Sequence, residues 1–182
     1  KVDGRLLSED EIVAIIRNWT VGELGTMAAS FGIIVEYLAH HHEVQTLVRE
    51  QPDFAVATSD EILRIHPPLI ANRRRATRDV TVGSESISAG DRVNVVWASA
   101  NRDEAVFGDP DEFRLDREPS LNILYGVGVH YCPGAPLARL EFKVLLEELL
   151  ARVTTISPVS EPEPQRAIFP GSGWSRVHVQ FD

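Results

Sequence analysis

A single cysteine, Cys132, serves the whole chain, so no internal disulfide can form. Zinc is poorly supported as well, because no second cysteine exists and no histidine sits at finger spacing. Positive charge is short: 18 basic against 27 acidic residues leave a net charge of −9, a poor match to nucleic acid or an anionic membrane surface. No apolar run is read as long enough to span a membrane, the opening Lys1-Val-Asp-Gly-Arg5 has no leader character, and no repeat is visible. These absences point to a soluble protein in a reducing, cytoplasmic setting. The 182 residues, 43% of them hydrophobic, suffice for one packed core.

What the chain does have is Tyr125-Gly-Val-Gly-Val-His-Tyr-Cys132-Pro-Gly-Ala-Pro-Leu-Ala-Arg139. Gly126 and Gly128 before the cysteine and Gly134 after it allow positive-φ turns and close approach of the backbone to a bulky neighbour. From Ala135 the pattern becomes helical, with Leu137, Leu140, Val144, Leu145 and Leu149 as the expected apolar stripe. Cys132 then lies just before a helix N-terminus, which favours an anion, and the thiolate is the form that binds metals. A buried core cysteine is the plainer reading, and spacing alone names no metal. A dinucleotide loop fails, because the third glycine of G-x-G-x-x-G would fall on Tyr131.

The run from Tyr125 to Glu141 resembles the cysteine-ligand loop of cytochrome P-450: an aromatic, then Gly-x-Gly-x-His-x-Cys-x-Gly, then Leu-Ala-Arg. Gly126, Gly128, His130, Cys132, Gly134, Leu137, Ala138 and Arg139 match, and Tyr125 stands where phenylalanine is usual. The resemblance implies haem b, with Cys132 as the proximal iron ligand and His130 donating to a propionate. It also implies a longer family chain, in which residues 1–182 form the C-terminal, haem-binding part of one domain and the N-terminal half is absent.

Ser8-Glu-Asp-Glu11 reads as a capping box opening a helix from about Glu9 to His40, apolar enough to be buried on most sides. Within it, Gly22 and Gly25 each cost about 1 kcal/mol relative to alanine, a cost that close helix packing would offset. In register with the family's distal helix, Gly22 takes the place of its glycine over the iron. Leu24 then falls where the family has an acid and Gly25 where it has a threonine, with Glu23 and Thr26 each one residue away. Three readings stay open: a local bulge that lets Glu23 and Thr26 substitute, proton delivery by water or substrate, or a reaction other than ordinary oxygen activation. His40-His-His42 is read as a helix-to-helix turn rather than a chelate, since consecutive helical histidines diverge.

Glu61 and Arg64 share a helical face just before Pro67-Pro68, a surface pair when taken alone. They match the family's Glu-x-x-Arg helix, a buried charge network. The arginine or histidine expected two residues after Pro110 is Glu112 here, leaving Arg114 or Arg117 as the third member. Val80-Thr-Val82 and Ser86-Ile-Ser88 around Gly83-Ser84 read as a hairpin, continued by Val93 to Val96. The resemblance implies that Arg74 reaches a haem propionate and that Leu69, Ile70, Ala71 and Asn72 line the substrate pocket. Val177, Val179 and Phe181 alternate as a final strand, and the family's last hairpin tip would bring Phe169, Pro170, Gly171 and Ser172 into that pocket.

The expected fold is mainly α with small β-sheets, the C-terminal half of the cytochrome P-450 fold. The expected function is insertion of one oxygen atom of O2 into a small apolar substrate, with electrons from a ferredoxin-type or flavin partner. A peroxide-using or substrate-rearranging haem-thiolate enzyme, and a fragment inactive by itself, are the alternatives.

Overall fold

The structure, a computed structural model, describes residue 2 and residues 4–182. Its first helix, α1 (Glu9–Val21), opens with the expected capping box: Glu11 N–H donates to Ser8 Oγ at 3.2 Å and Ser8 N–H to Glu11 Oε2 at 2.8 Å. Arg5 forks onto the same carboxylate at 2.6 and 2.8 Å, and this bond, with the Ser8 contacts, holds Glu11 down at about 2. Helix α1 runs through a π-helical turn (Gly22–Thr26) into α2 (Met27–His40) without a break. Helices α3 (His42–Glu50), α4 (Ala55–Ile65), α5 (Trp97–Ala100), α6 (Glu104–Phe107) and α7 (Ala135–Arg152) follow.

Four two-stranded antiparallel sheets lie between and after the helices. Strand β1 (Asn72–Arg75) pairs with β4 (Arg92–Val95), and β2 (Val80–Val82) with β3 (Glu85–Ile87) across Gly83, which has φ 61°. Near the C-terminus β5 (Ile156–Pro158) pairs with β8 (Val179–Phe181), and β6 (Gln165–Arg166) with β7 (Trp174–Arg176). The hairpin is one residue displaced from the expected Ser86–Ser88 limb. The single final strand is two strands, with Val177 between them.

The core gathers α2, α3, α4 and α7 around Ile34, Leu38, Ile62, Leu63, Phe142 and Leu146, all buried. Gln45 ties α3 to β5: its amide donates to Leu38 O at 2.7 Å and Ile156 O at 2.8 Å, while its oxygen accepts Ile156 N–H at 3.0 Å. A fully buried amide is tolerated because each polar atom is paired.

Three expectations fail here. Helix α1 buries none of its side chains, and Ile12, Ile15, Ile16 and Trp19 are all exposed; among the described residues, no other element covers that face. Helix α7 turns Ala135, Phe142, Leu146 and Leu150 inward, whereas Leu137, Leu140 and Val144 of the expected stripe are exposed. The sequence offers two apolar stripes on α7, and packing against α4 and α3 selects the one containing Phe142. Finally, the 32-residue helix Glu9–His40 is by length and composition apolar enough to cross a membrane. In this fold its second half is the centre of the core.

Candidate functional site

The cysteine loop contains a short 3-10 turn (Gly128–His130) that is entered through two glycines of positive φ, Gly126 at 76° and Gly128, its first residue, at 64°. At Gly126 a Cβ would also press to 3.4 Å on the His130 carbonyl. Gly134 serves differently. It is the N-cap of α7 with ordinary helical φ, and a Cβ there would lie 3.7 Å from Cys132 Sγ. Cys132 N–H donates to Tyr125 O at 2.9 Å and its carbonyl accepts Ala135 N–H at 3.2 Å, so the sulfur leaves the backbone at the first turn of α7, as the spacing predicts.

A cavity of about 400 Å3 is lined by both this loop and the π-turn. The loop contributes Gly126, His130, Cys132 and Gly134, the turn contributes Gly22, Glu23 and Thr26, and Asn72 and Arg74 line it as well. A Cβ on Gly22 or Gly25 would meet nothing within 4 Å, so these glycines do not serve helix packing as expected; Gly22 leaves room in the cavity. Leu24 is 70% exposed and, like Gly25, is not among the cavity walls. The wider π-turn reduces the rotation per residue, which carries Glu23 and Thr26 toward the face of Gly22. That is the local bulge posed among the sequence readings.

Of the expected pocket residues Leu69 and Asn72 are cavity walls. Ile70, Ala71, Phe169, Pro170, Gly171 and Ser172 are not. Backbone bonds account for that: Ile70 N–H donates to Pro170 O and Ser172 N–H to Pro68 O, both at 3.0 Å, which lays the tip along residues 68–70. Asn72 Oδ1 accepts the Trp97 indole N–H at 2.5 Å. Among the lining residues that sequence reasoning missed are Asn18, Trp19, Met27, Ser30 and Trp97. The four on the helix through Gly22 could have been found by stepping three or four residues from Gly22, Glu23 and Thr26.

Behind the loop, Arg64 is fully buried and Glu61 is 6% exposed. Arg64 Nε donates to Glu61 Oε2 at 2.7 Å and Nη2 to Oε1 at 2.9 Å, while Nη1 reaches Asn101 O at 2.7 Å and Nη2 reaches Pro110 O at 2.8 Å. Arg117 Nε completes the pair at 3.0 Å from Glu61 Oε1. Arg114 gives that carboxylate only its backbone N–H, at 3.1 Å; its guanidinium turns outward to Asp116. Glu112 joins through its carbonyl, which accepts from Arg117 at 3.0 Å.

A second cluster, unforeseen in the sequence, braces the loop from α4. Arg139 Nε donates to Asp60 Oδ2 at 2.8 Å, its guanidinium lies 4.6 Å from the Tyr125 ring centre, and the Tyr125 hydroxyl is 3.4 Å from Asp60 Oδ1. Burial raises the Asp60 carboxyl despite Arg139, and burial with the Asp60 charge pushes the Tyr125 phenol far above its usual range, so it remains a donor.

His40 and His41 do not chelate: they pair with Glu36 and Glu43 at 3.6 and 2.9 Å, and His41 also stacks on Tyr37 at 4.0 Å. Among the described residues no group of three or more histidine, cysteine, aspartate or glutamate side chains converges on a metal position.

A mainly helical fold that brings one cysteine and a long helix to the same cavity places a thiolate ligand where a bulky group has room beside it. The family model for Cytochrome P-450 matches residues 1–170, and the chain belongs to that family. It is 36% identical over 89% of its length to a cyclomarin C epoxidase of Salinispora arenicola, covering 41% of that protein. It is 32% identical over its whole length to a steroid C26-monooxygenase of Mycolicibacterium smegmatis, covering 45% of it. Among solved structures, a cytochrome P-450 from Chondromyces apiculatus superposes with a TM-score of 0.92 at 34% identity, covering all of this chain and 47% of that one. The chain therefore spans less than half the length of these relatives.

Proposed function

We propose that this chain is the C-terminal, haem-holding part of a monooxygenase domain that inserts one oxygen atom into a small apolar substrate. The observation that carries this reading is that Cys132 and Gly22, more than a hundred residues apart in sequence, line one cavity. The residues present fit a flat prosthetic group with an anionic edge. Cys132 is partly exposed just before α7, a Cβ on Gly22 would meet nothing within 4 Å, and Arg74 and His130 both line the cavity. Cys132 would hold the iron of haem b, with Arg74 and His130 at its propionates. When bound, the haem supplies oxygen activation and transfer.

The chain's own residues have distinct tasks. Gly126 and Gly128 fold the loop back so that Cys132 N–H is satisfied by Tyr125 O and the sulfur faces the cavity. Glu23 and Thr26, brought to the cavity by the π-turn, hold and pass protons at the carboxylate and hydroxyl oxygens, in place of an acid at Leu24 and an alcohol at Gly25. Leu69 and Trp97 give the substrate side an apolar wall. Electrons come from a separate ferredoxin-type or flavin protein.

The test is the ferrous carbon monoxide spectrum of the haem-loaded protein. Cys132→Ser should abolish the thiolate signature while the protein stays folded by circular dichroism; an unchanged spectrum would refute the assignment. Turnover with O2 and a reductant, compared with peroxide alone, separates the monooxygenase from the peroxide-using alternative.

A further inference from the structure

A second cavity, of about 450 Å3, shares no residue with the first and opens where the end of α2 and the start of α3 meet residues 111–113. One side of it is apolar: the Tyr37 and Phe113 rings have centres 5.9 Å apart and are inclined at 34°, and Val44 and Leu47 extend that surface. The other side is acidic, with Glu43, Asp111 and Glu112, and among the described residues no lysine or arginine is a wall. His41 stacks on Tyr37 at 4.0 Å and is bound through Nδ1 to Glu43 at 2.9 Å. Arg102, which does not line the cavity, holds Asp111 with Nε at 2.8 Å. Glu112 is different. Its backbone carbonyl accepts from Arg117 at 3.0 Å and Arg64 at 3.4 Å, while its exposed carboxylate has no partner among the described residues.

Tyr37 is the observation that calls for a ligand. It is 8% exposed, and its hydroxyl has no hydrogen-bond partner among the described residues. Among these residues the side-chain atoms both enclosed and unpaired are Thr58 Oγ1 and His178 Nε2, so the Tyr37 hydroxyl is open at its tip, and this cavity is the opening that Tyr37 lines. Polar groups on side chains this buried are ordinarily paired. Burial, and after it the charge of Glu43, pushes the phenol up to about 12, so it stays protonated with its oxygen free to accept.

We propose that this cavity binds a small alkylguanidinium ion: the cationic plane on the Tyr37 and Phe113 rings, its N–H groups on the Glu112 carboxylate and the Tyr37 hydroxyl oxygen, and its alkyl chain along Val44 and Leu47. A guanidinium is planar, weakly hydrated and always charged, stacks on aromatic faces and forks onto a carboxylate, which is what these walls offer together. An anion would meet three carboxylates. A bare metal ion would lack donors, because among the described residues no three histidine, cysteine, aspartate or glutamate side chains converge on a metal position. The site is independent of the haem reading.

The test is calorimetric titration of the haem-loaded protein with n-butylguanidinium chloride, with n-butylurea as the neutral molecule of the same shape. The wild type should show one saturable site for the cation, weakened by added sodium chloride, and none for the urea. E112Q removes one exposed charge and should weaken binding roughly two- to fivefold. Y37F keeps the ring, removes the hydroxyl and should weaken it roughly two- to tenfold. Thermal midpoints by circular dichroism are measured for both variants; if Y37F loses its fold, E112Q, at an exposed position, decides. Absence of saturable heat, equal binding of the urea, or wild-type affinity in the folded variants overturns the proposal.

Discussion

Removing Arg64 tests how the core behind the cysteine loop is held. In Arg64→Met the packing volume is roughly kept, but Glu61 loses two charge-assisted bonds, of 2.7 and 2.9 Å, and the Asn101 and Pro110 carbonyls lose their donor. The site is closed to water, since Arg64 is fully buried, so a lost partner is not replaced by solvent. Breaking a buried pair of this kind costs about 3–5 kcal/mol. Arg117→Met leaves Glu61 its Arg64 fork and removes one hydrogen bond to that carboxylate, together with the less buried bonds to the Phe107, Asp109 and Glu112 carbonyls, and should cost less, about 1.5–3 kcal/mol. Arg114→Ala keeps the backbone N–H that serves Glu61 and removes only an exposed pair with Asp116, worth about 0–1 kcal/mol. Urea unfolding of the haem-loaded protein, followed by tryptophan fluorescence, should therefore rank the losses Arg64, Arg117, Arg114. A cost for Arg64→Met below about 1 kcal/mol, or one smaller than that of Arg117→Met, would refute the network as drawn.

Gly173→Ala should lower stability by about 2–4 kcal/mol, because φ is 75° there and a Cβ would stand 2.3 Å from Ile33 Cγ1 in the core; an unchanged thermal midpoint would contradict this. Asp60→Asn probes the Tyr125 and Arg139 cluster through pH. The Asp60 carboxyl is raised in the folded state, so its contribution is full below the unfolded pKa and falls as pH rises through the folded one. The wild type should therefore lose stability relative to the variant as pH climbs through the carboxylate range, and the opposite slope would show that the Arg139 ion pair outweighs burial. Phe142→Ala removes a buried ring that packs edge-on against Phe31 at 5.6 Å and lines the cavity. A loss of about 3–5 kcal/mol in urea unfolding is expected, and one under about 1 kcal/mol would mean that the site collapses to fill the space.

Local chemistry alone made several elements legible. The capping box at Ser8, the stop at Pro67, the turn at Gly83 and the cysteine loop ahead of α7 all depend on neighbours within a few residues, and each stands where the residues put it. The mainly α fold with small sheets was legible for the same reason, and the cysteine motif was long enough to carry the family. Burial was not. Helix α1 and the stripe at Leu137, Leu140 and Val144 are apolar by composition, yet a face is buried only when another element reaches it.

The sequence by itself determined which residues are candidates for chemistry or for a charge network: a lone cysteine between glycines, a Glu-x-x-Arg pair, an acid and an alcohol displaced by one position. Only the tertiary structure decided their partners. It selected Arg117 over the side chain of Arg114 because residues 107–117 wrap the guanidinium in carbonyls, and it placed Asp60 under Tyr125. It turned Glu23 and Thr26 to the cavity through one π-turn, since the rotation of a helix at a given residue depends on how the whole length is packed and not on the residue alone.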